Sequence, residues 1–390
     1  MNVPKLRFKE FNDEWCYQSL SKYVNRITTK NKNNESDLVL TISAQYGLVD
    51  QTIFFNRSVS SSNLTGYYLL NNGDFAYNKS YSNGYPWGAV KRLNKYNQGV
   101  VSSLYICFKT NNLIDSNFLE QYFETNKWYQ QISEVSVEGA RNHGLLNIAV
   151  NDFFNTKHYI PSIKEQEKIS KFLSLLDKKI ELQSKKIEDL KLFKLYLQNK
   201  LYNANDTKDV LIKDLGEIVT GTTPSKSENK YWDNGNILWI TPTDICENRD
   251  INDCSCKLTE SGLAKGRFIP KNSILVTCIA SIGKNAIIKE DGSCNQQINA
   301  IIPSKDYNYN YIYYMIENLS NYMKSIAGTS ATAIINKEQF GNINIKIHKR
   351  EVQDKISKIL NAFETKIIQE GFKYKKLQNL KKGLMQNMFV

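Results

Sequence analysis

Three loops in this chain combine residue types that can contact phosphates and base edges. The first runs Lys79, Ser80, Tyr81, Ser82, Asn83, Gly84, Tyr85, Pro86, Trp87. The second holds Arg141, Asn142 and His143 between Gly139 and Gly144, and the third is Gly328, Thr329, Ser330. Lysine and arginine neutralise phosphate, while amides and hydroxyls meet base edges. The same residues also suit ordinary turns, because Gly and Asn tolerate positive φ. Catalytic chemistry is harder to find. His143, His158 and His348 lie far apart, with no second His or Cys at metal-ligand spacing. No local signature supports a Cys–His nucleophile pair. No two of the 19 glycines are two positions apart, so a G-x-G nucleotide fingerprint is missing. Gly283-Lys284 is followed by Asn285, which excludes a phosphate-binding P-loop. None of the seven prolines are adjacent, so the Pro-Pro-aromatic motif of amino-group DNA methyltransferases is absent as well. A binding or adaptor protein becomes the leading class.

The elements that must position these loops emerge from length and charge. At 390 residues the chain is long enough for two or three domains, and 41% hydrophobic content supports real cores. The longest apolar run, near 274–282, is far short of the ~18 residues that a membrane span needs. The opening MNVPKLRFKEF has no apolar core segment, so no secretory signal is expected. Seven cysteines, none spaced C-x-x-C, point to a reducing cytoplasm. The net charge is +12, and ten of those charges fall in residues 160–202 and 348–390. That is either a polyanion footprint or two Lys-rich solvated helix faces.

Those two basic segments are copies of one another. A shift of 187 residues lays QEKISK at 166–171 on QDKISK at 353–358, and the match continues without a gap to Tyr202 and Phe389. Each copy carries apolar residues in alternating steps of four and three: Ile169, Leu173, Leu176, Ile180 and onward to Leu201, then Ile356, Leu360, Phe363, Ile367 and onward to Met388. This is a heptad seam sustained for over four heptads. One reading is two amphipathic helices, each packed on its own domain. The 3.5-residue period and Lys/Glu flanks favour an antiparallel coiled coil. Its polar seam positions are Gln183, Lys194, Glu370 and Lys381. If facing residue numbers sum to 564, Lys194 meets Glu370 and Gln183 meets Lys381. A parallel pair would set Lys194 against Lys381 instead.

Residues 1–159 and 204–347 read as β-rich with some helix. Strands are expected at 38–43, 66–77 and 100–108, with a helix at 118–132. In the second half strands are expected at 237–241, 267–277, 285–289 and 297–302, with a helix at 309–325. The fold class is α+β: two β-rich globular domains separated by two long helices that form an antiparallel coiled coil, as a pseudo-twofold internal repeat.

The chain resembles the specificity subunit of type I restriction–modification systems over nearly its whole length. The residues that carry the resemblance are VPKLRFKEFNDEW at the start and IPSIKEQEKISKFLSLLDKKIELQ at 160–183. The second half adds LGEIVTGTTPSK at 215–226, YWDNGNILWITPTDI at 231–245, GRFIPKNSILVTCIASIGKNAII at 266–288 and NQQINAII at 295–302. The resemblance implies target-recognition domains at 1–159 and 204–347, and helical spacers at 160–203 and 348–390. Each domain would read one half of a bipartite sequence in double-stranded DNA. The helices would dock two modification (methyltransferase) subunits, and restriction (translocase/nuclease) subunits would join them. S-adenosylmethionine, ATP and Mg would belong to those partners, with no cofactor, no metal and no catalysis in this chain, which would work in the cytoplasm away from membranes. An overlap of roughly 28 residues spans about 42 Å, or about 12 base pairs. DNA contacts are then expected at Lys79, Tyr81, Tyr85, Trp87, Arg141, Asn142 and His143 in the first domain. In the second they are expected at Thr222, Lys226, Ser281, Lys284, Thr329 and Ser330. The competing readings are a coiled-coil scaffold with no nucleic-acid role and an enzyme whose site lacks a known motif.

Overall fold

The computed structural model describes residues 2–56, 63–136, 146–202, 206–246, 248–328 and 333–390. The chain forms two compact units, and each is built from pieces distant in sequence. Unit one is residues 1–184 with 373–390; unit two is 185–372. The two long helices, Ile163–Tyr202 and Arg350–Met388, are therefore each divided between the units.

In unit one a four-stranded antiparallel sheet is ordered Val24–Arg26, Ile106–Thr110, Phe75–Asn78, Ala89–Arg92. Phe75 stacks on Phe108, and Tyr77 stacks on Phe153, all under the helices Ser116–Phe123 and Tyr129–Val135. The expected strand at 66–77 is two strands, Tyr68–Asn71 and Phe75–Asn78. Gly73 breaks it, at φ +92°, a conformation open to glycine at little cost. The run at 100–108 divides likewise, into Gln98–Val101 and Ile106–Thr110. The expected helix at 118–132 is interrupted after Phe123, where Trp128 turns inward and its indole donates to the Phe123 carbonyl.

Unit two is built on a five-stranded sheet ordered Gly216–Thr220, Ile298–Pro303, Ile274–Thr277, Asn285–Ile288, Asp250–Ile251. Beside it, Ile237–Ile240 lies between Lys257–Leu258 and Gly292–Cys294. The helix Tyr309–Ile326 packs on the larger sheet, with Tyr311, Tyr314 and Ile316 fully buried. Of the expected strand at 267–277 only Ile274–Thr277 forms a ladder, since Pro270 and positive-φ Asn272 break the run before it.

Both long helices begin in the same way. A two-stranded ribbon leads into each: Cys16–Ser19 with Lys157–Ile160, and Thr207–Leu211 with Asn344–His348. A buried glutamine then locks the first turn. Gln166 donates to the Pro161 carbonyl and accepts from Asp115 N; Gln353 donates to the His348 carbonyl and accepts from Asn308 N. Asp115 and Asn308 are themselves the N-caps of the domain helices, so one amide ties each domain helix to its long helix. These two glutamines are 187 residues apart, and the repeat holds at the level of single hydrogen bonds.

The helices pair antiparallel within each unit. In unit one Ile169 and Leu173 share a core with Met385, Met388 and Phe389. In unit two Lys186 reaches Glu370 at 3.3 Å and Lys194 reaches Glu364 at 2.6 Å. The register differs from the expected one. Lys194 meets Glu364 and Glu317, while Lys381 meets Asp177 at 2.5 Å; Glu370, fully buried, takes Lys186 and Lys366. These pairings are displaced by six to eight residues, one heptad, from those that put Lys194 on Glu370 and Gln183 on Lys381. A one-heptad slip keeps the seam spacing but takes the polar seam positions out of opposition to one another, so the polar layers do not set the register. Residues outside the seam decide it: Glu317, on the domain helix, and Phe389, packed between Phe118 and Tyr122.

Candidate nucleic-acid interface

The sheet register of unit two brings several loops to one end. Thr220 is paired with Asn299, Thr277 with Ile298, and Val276 with Asn285. The segments 221–226, 278–284 and 294–297 therefore leave the sheet side by side. Hydrogen bonds join them: Thr222 N to the Cys294 carbonyl at 2.8 Å and Cys278 N to the Gln297 carbonyl at 2.9 Å. Ile335 adds a fourth segment, its N–H donating to Cys278 O.

Two tryptophans brace the 221–226 loop from beneath. Trp239 Nε1 donates to the Thr222 carbonyl and Trp232 Nε1 to the Ser225 carbonyl, each at 3.0 Å, with the indoles edge to face. The Thr223 hydroxyl donates to Gln296 Oε1 at 2.5 Å, and Arg267 donates to the Thr220 carbonyl at 2.7 Å. Lys226 and Lys284 are exposed, with the Lys226 ammonium 6.0 Å from the Trp239 ring centroid. Thr222 and Ser281 are half-buried, and their carbonyls accept from Trp239 and from Thr277. They shape the loops that carry Lys226 and Lys284. Gly283 is at φ +80°, and a Cβ there would come within 2.6 Å of Ser320 Oγ, so this turn requires glycine.

The corresponding end of unit one carries the 79–87 loop. It follows Asn78, opposite Ala89, and Leu146 N donates to the Lys79 carbonyl at 2.9 Å. Here the four expected contact residues separate. Tyr81 is exposed. Lys79 is half-buried and donates to the Ile148 carbonyl at 3.2 Å. Trp87 packs against the core, and its carbonyl accepts from Tyr77. Tyr85 also packs inward, 5.2 Å from the ammonium of Lys91; burial, then nearby Glu124, pushes its phenol above the ordinary range. Gly88 closes the loop at φ +75°, where a Cβ would lie 2.2 Å from the Asn78 carbonyl. Arg141, Asn142, His143, Thr329 and Ser330 lie outside the described residues.

Sequence reasoning passed over Tyr46 and Phe54. Both are exposed, and with Tyr81 they line an open cleft beside the 79–87 loop. Tyr46 stands alone and Phe54 lies in the QTIFF run at 51–55, and no sequence signal set them apart. Arg267 and Gln296 were likewise missed, because the contacts that place them cross 47 to 73 residues. Among the described residues no group of three His, Cys, Asp or Glu side chains could hold a metal ion. No helix among them is long and apolar enough to cross a membrane.

Comparison with known proteins gives this geometry a context. Residues 205–379 match the family model for the type I restriction modification DNA specificity domain. The MjaIX type I restriction enzyme specificity subunit of Methanocaldococcus jannaschii is 32% identical over 185 residues, covering 46% of this chain and 43% of the relative. The EcoR124I/EcoR124II specificity subunit of Escherichia coli is 30% identical over 236 residues, covering 55% and 57%. The chain thus spans about half the length of the curated relatives it matches. The crystal structure of a type I restriction-modification S subunit from M. genitalium shares the fold at TM-score 0.59 and 15% identity, over 100% of this chain and 99% of that one. A chain solved for the complex assembly and conformational transition of the type I R-M system matches at TM-score 0.63 and 14% identity, over 98% and 99%. Residues 205–379 thus match a type I restriction modification DNA specificity domain, and the relatives that the chain resembles in sequence are type I specificity subunits.

Proposed function

We propose that this chain is the DNA-reading subunit of a type I restriction–modification complex, with each compact unit reading one half of a bipartite target in double-stranded DNA. The observation that carries the proposal is the repeated construction. Each unit ends its main sheet in a cluster of braced loops, and a buried glutamine, Gln166 or Gln353, fastens its domain helix to a long helix. Rigid loops on a fixed scaffold suit base reading, because little conformational entropy is lost on binding. Lys226, Lys284 and Tyr81 are the exposed candidates for direct contact. Phosphate contacts would position the duplex and base contacts would specify it.

In this reading the paired helices carry two modification subunits, and restriction subunits join that core in the cytoplasm. Methyl transfer, strand cleavage and translocation, with S-adenosylmethionine, ATP and Mg, belong to those partners, so this chain is not itself an enzyme. Base flipping for methylation would likewise occur in the partner.

The test is a genome-wide map of N6-methyladenine by single-molecule sequencing. A host expressing this chain with a modification subunit is compared with a host expressing the modification subunit alone. A bipartite motif that needs this chain is the expected result. No motif, despite a verified complex of the two proteins, would leave the coiled-coil scaffold as the better reading.

A further inference from the structure

The loop end of unit one holds a cleft of about 320 Å³ whose chemistry differs from the rest of the surface. Its walls are Tyr46, Phe54 and Tyr81, which are 63%, 45% and 60% exposed. Among the described residues no charged side chain lines it, in a chain of net charge +12. The walls are held in place. Asp50 caps the short helix that carries Phe54, accepting from Thr52 N at 2.8 Å and Ile53 N at 3.3 Å. Ser82 and Tyr85 exchange two backbone hydrogen bonds across the turn that follows Tyr81.

A surface that only neutralised phosphate would be basic. Amides that can meet base edges, Gln45, Asn78 and Asn83, share the lining. Beside them the cleft offers three exposed aromatic rings, and rings left in water are unfavourable unless something apolar covers them. It is also continuous with the proposed DNA-facing loop, since Ser80, Tyr81, Ser82 and Asn83 belong to both. Among the groups that base pairs present in the major groove, the thymine 5-methyl is the apolar one. We propose that the Tyr46–Phe54–Tyr81 cleft is a specificity site that reads a thymine through its 5-methyl group. This deepens the DNA-reading function proposed above and rests on it.

The test uses the complex of this chain with its modification subunits and duplexes carrying the mapped target. Each thymine in the half read by unit one, on either strand, is replaced in turn by deoxyuridine, which removes only the methyl. At one position affinity is expected to fall about four-fold, the worth of one buried methyl-sized group. The Phe54→Ser and Tyr81→Ser complexes should lose that sensitivity while still reading the other half-site. Both side chains are exposed, so matching thermal unfolding of wild type and variants is the check on folding. Three results would overturn the inference: a half-site without thymine, specific binding indifferent to every uracil, or variants that weaken all duplexes alike. Variants that alter only self-association in light scattering would assign the cleft to a second copy of the chain and overturn it too. A wild-type complex with no sequence preference at all would sink the DNA-reading function itself, which separates the two failures.

Discussion

Lys194 Nζ lies 2.6 Å from Glu364 Oε2 in unit two, and the residues 187 positions away reproduce the pair in unit one with the helices exchanged: Lys381 Nζ lies 2.5 Å from Asp177 Oδ1. The long helix that gives the lysine in one unit gives the carboxylate in the other. The two pairs are unequal in burial. Lys194 also reaches Glu317 at 3.2 Å and sits 4.9 Å from the Tyr314 ring centroid, with its side chain 11% exposed. Asp177 is 40% exposed.

That inequality sets different costs. Lys194→Met leaves Glu317 and Glu364 facing each other without a counter-ion, and is expected to destabilise the protein by about 1–3 kcal/mol, below the cost of breaking a fully buried pair. Lys381→Met should cost less than about 1 kcal/mol, as exposed pairs do. The exchange Lys194→Glu with Glu364→Lys should recover part of the loss. Urea unfolding in a double-mutant cycle measures all three; equal costs for the two lysines would contradict the assignment.

Phe389 gives a second prediction. It is 1% exposed, packs at 5.4 Å from Phe118 and 5.9 Å from Tyr122, and belongs to the core of unit one although it is the next-to-last residue. Phe389→Ala should cost about 3 kcal/mol, as large-to-small changes in cores do. Hydrogen exchange should rise in residues 1–184 and 373–390 and stay unchanged in 185–372. Uniform loosening of both units would argue that they do not fold as separate cooperative bodies.

His158 makes stability depend on pH. Its ring nitrogens lie 2.8 Å from the Tyr122 and Thr156 hydroxyls, and burial holds its imidazole down at about 3, well below 6.5. The unfolded chain therefore binds a proton that the folded chain refuses. The histidine's contribution is complete above pH 6.5 and is lost as pH falls from there towards 3, by up to about 1.4 kcal/mol per pH unit. Chemical unfolding between pH 7.5 and 5 should show that slope. His158→Gln should flatten it, and an unchanged slope in the variant would place the effect elsewhere.

Trp239 tests the braced loop. It is 3% exposed, and its indole holds the Thr222 carbonyl. Trp239→Phe removes that donor at a stability cost of about 1 kcal/mol. The expected effect is degeneracy in one half of the methylated motif, with the other half intact. A loss of methylation at all sites alike would show a general folding defect in place of loop positioning.

The sequence by itself was enough for the architecture. A 187-residue repeat and a heptad seam report on chemistry that is local along the chain, and local periodicity survives folding unchanged. The helix at Tyr309–Ile326 was readable for the same reason. Strand limits were less so, because single residues such as Gly73 and Pro270 interrupt runs whose composition is continuous. The register of the long helices was not readable at all. Slips by whole heptads preserve the seam spacing, and the choice falls to Glu317 and Phe389, which reach the seam from elsewhere in the chain. The same holds at the loops. Tyr81, Tyr85 and Trp87 are alike in composition and lie within seven residues, yet one faces solvent and two pack inward. Which side of a loop is outside depends on the sheet beneath it, and that sheet is assembled from residues up to 86 apart in sequence. Only the tertiary structure could decide it, because burial is a property of the neighbours that folding brings and not of the residue itself.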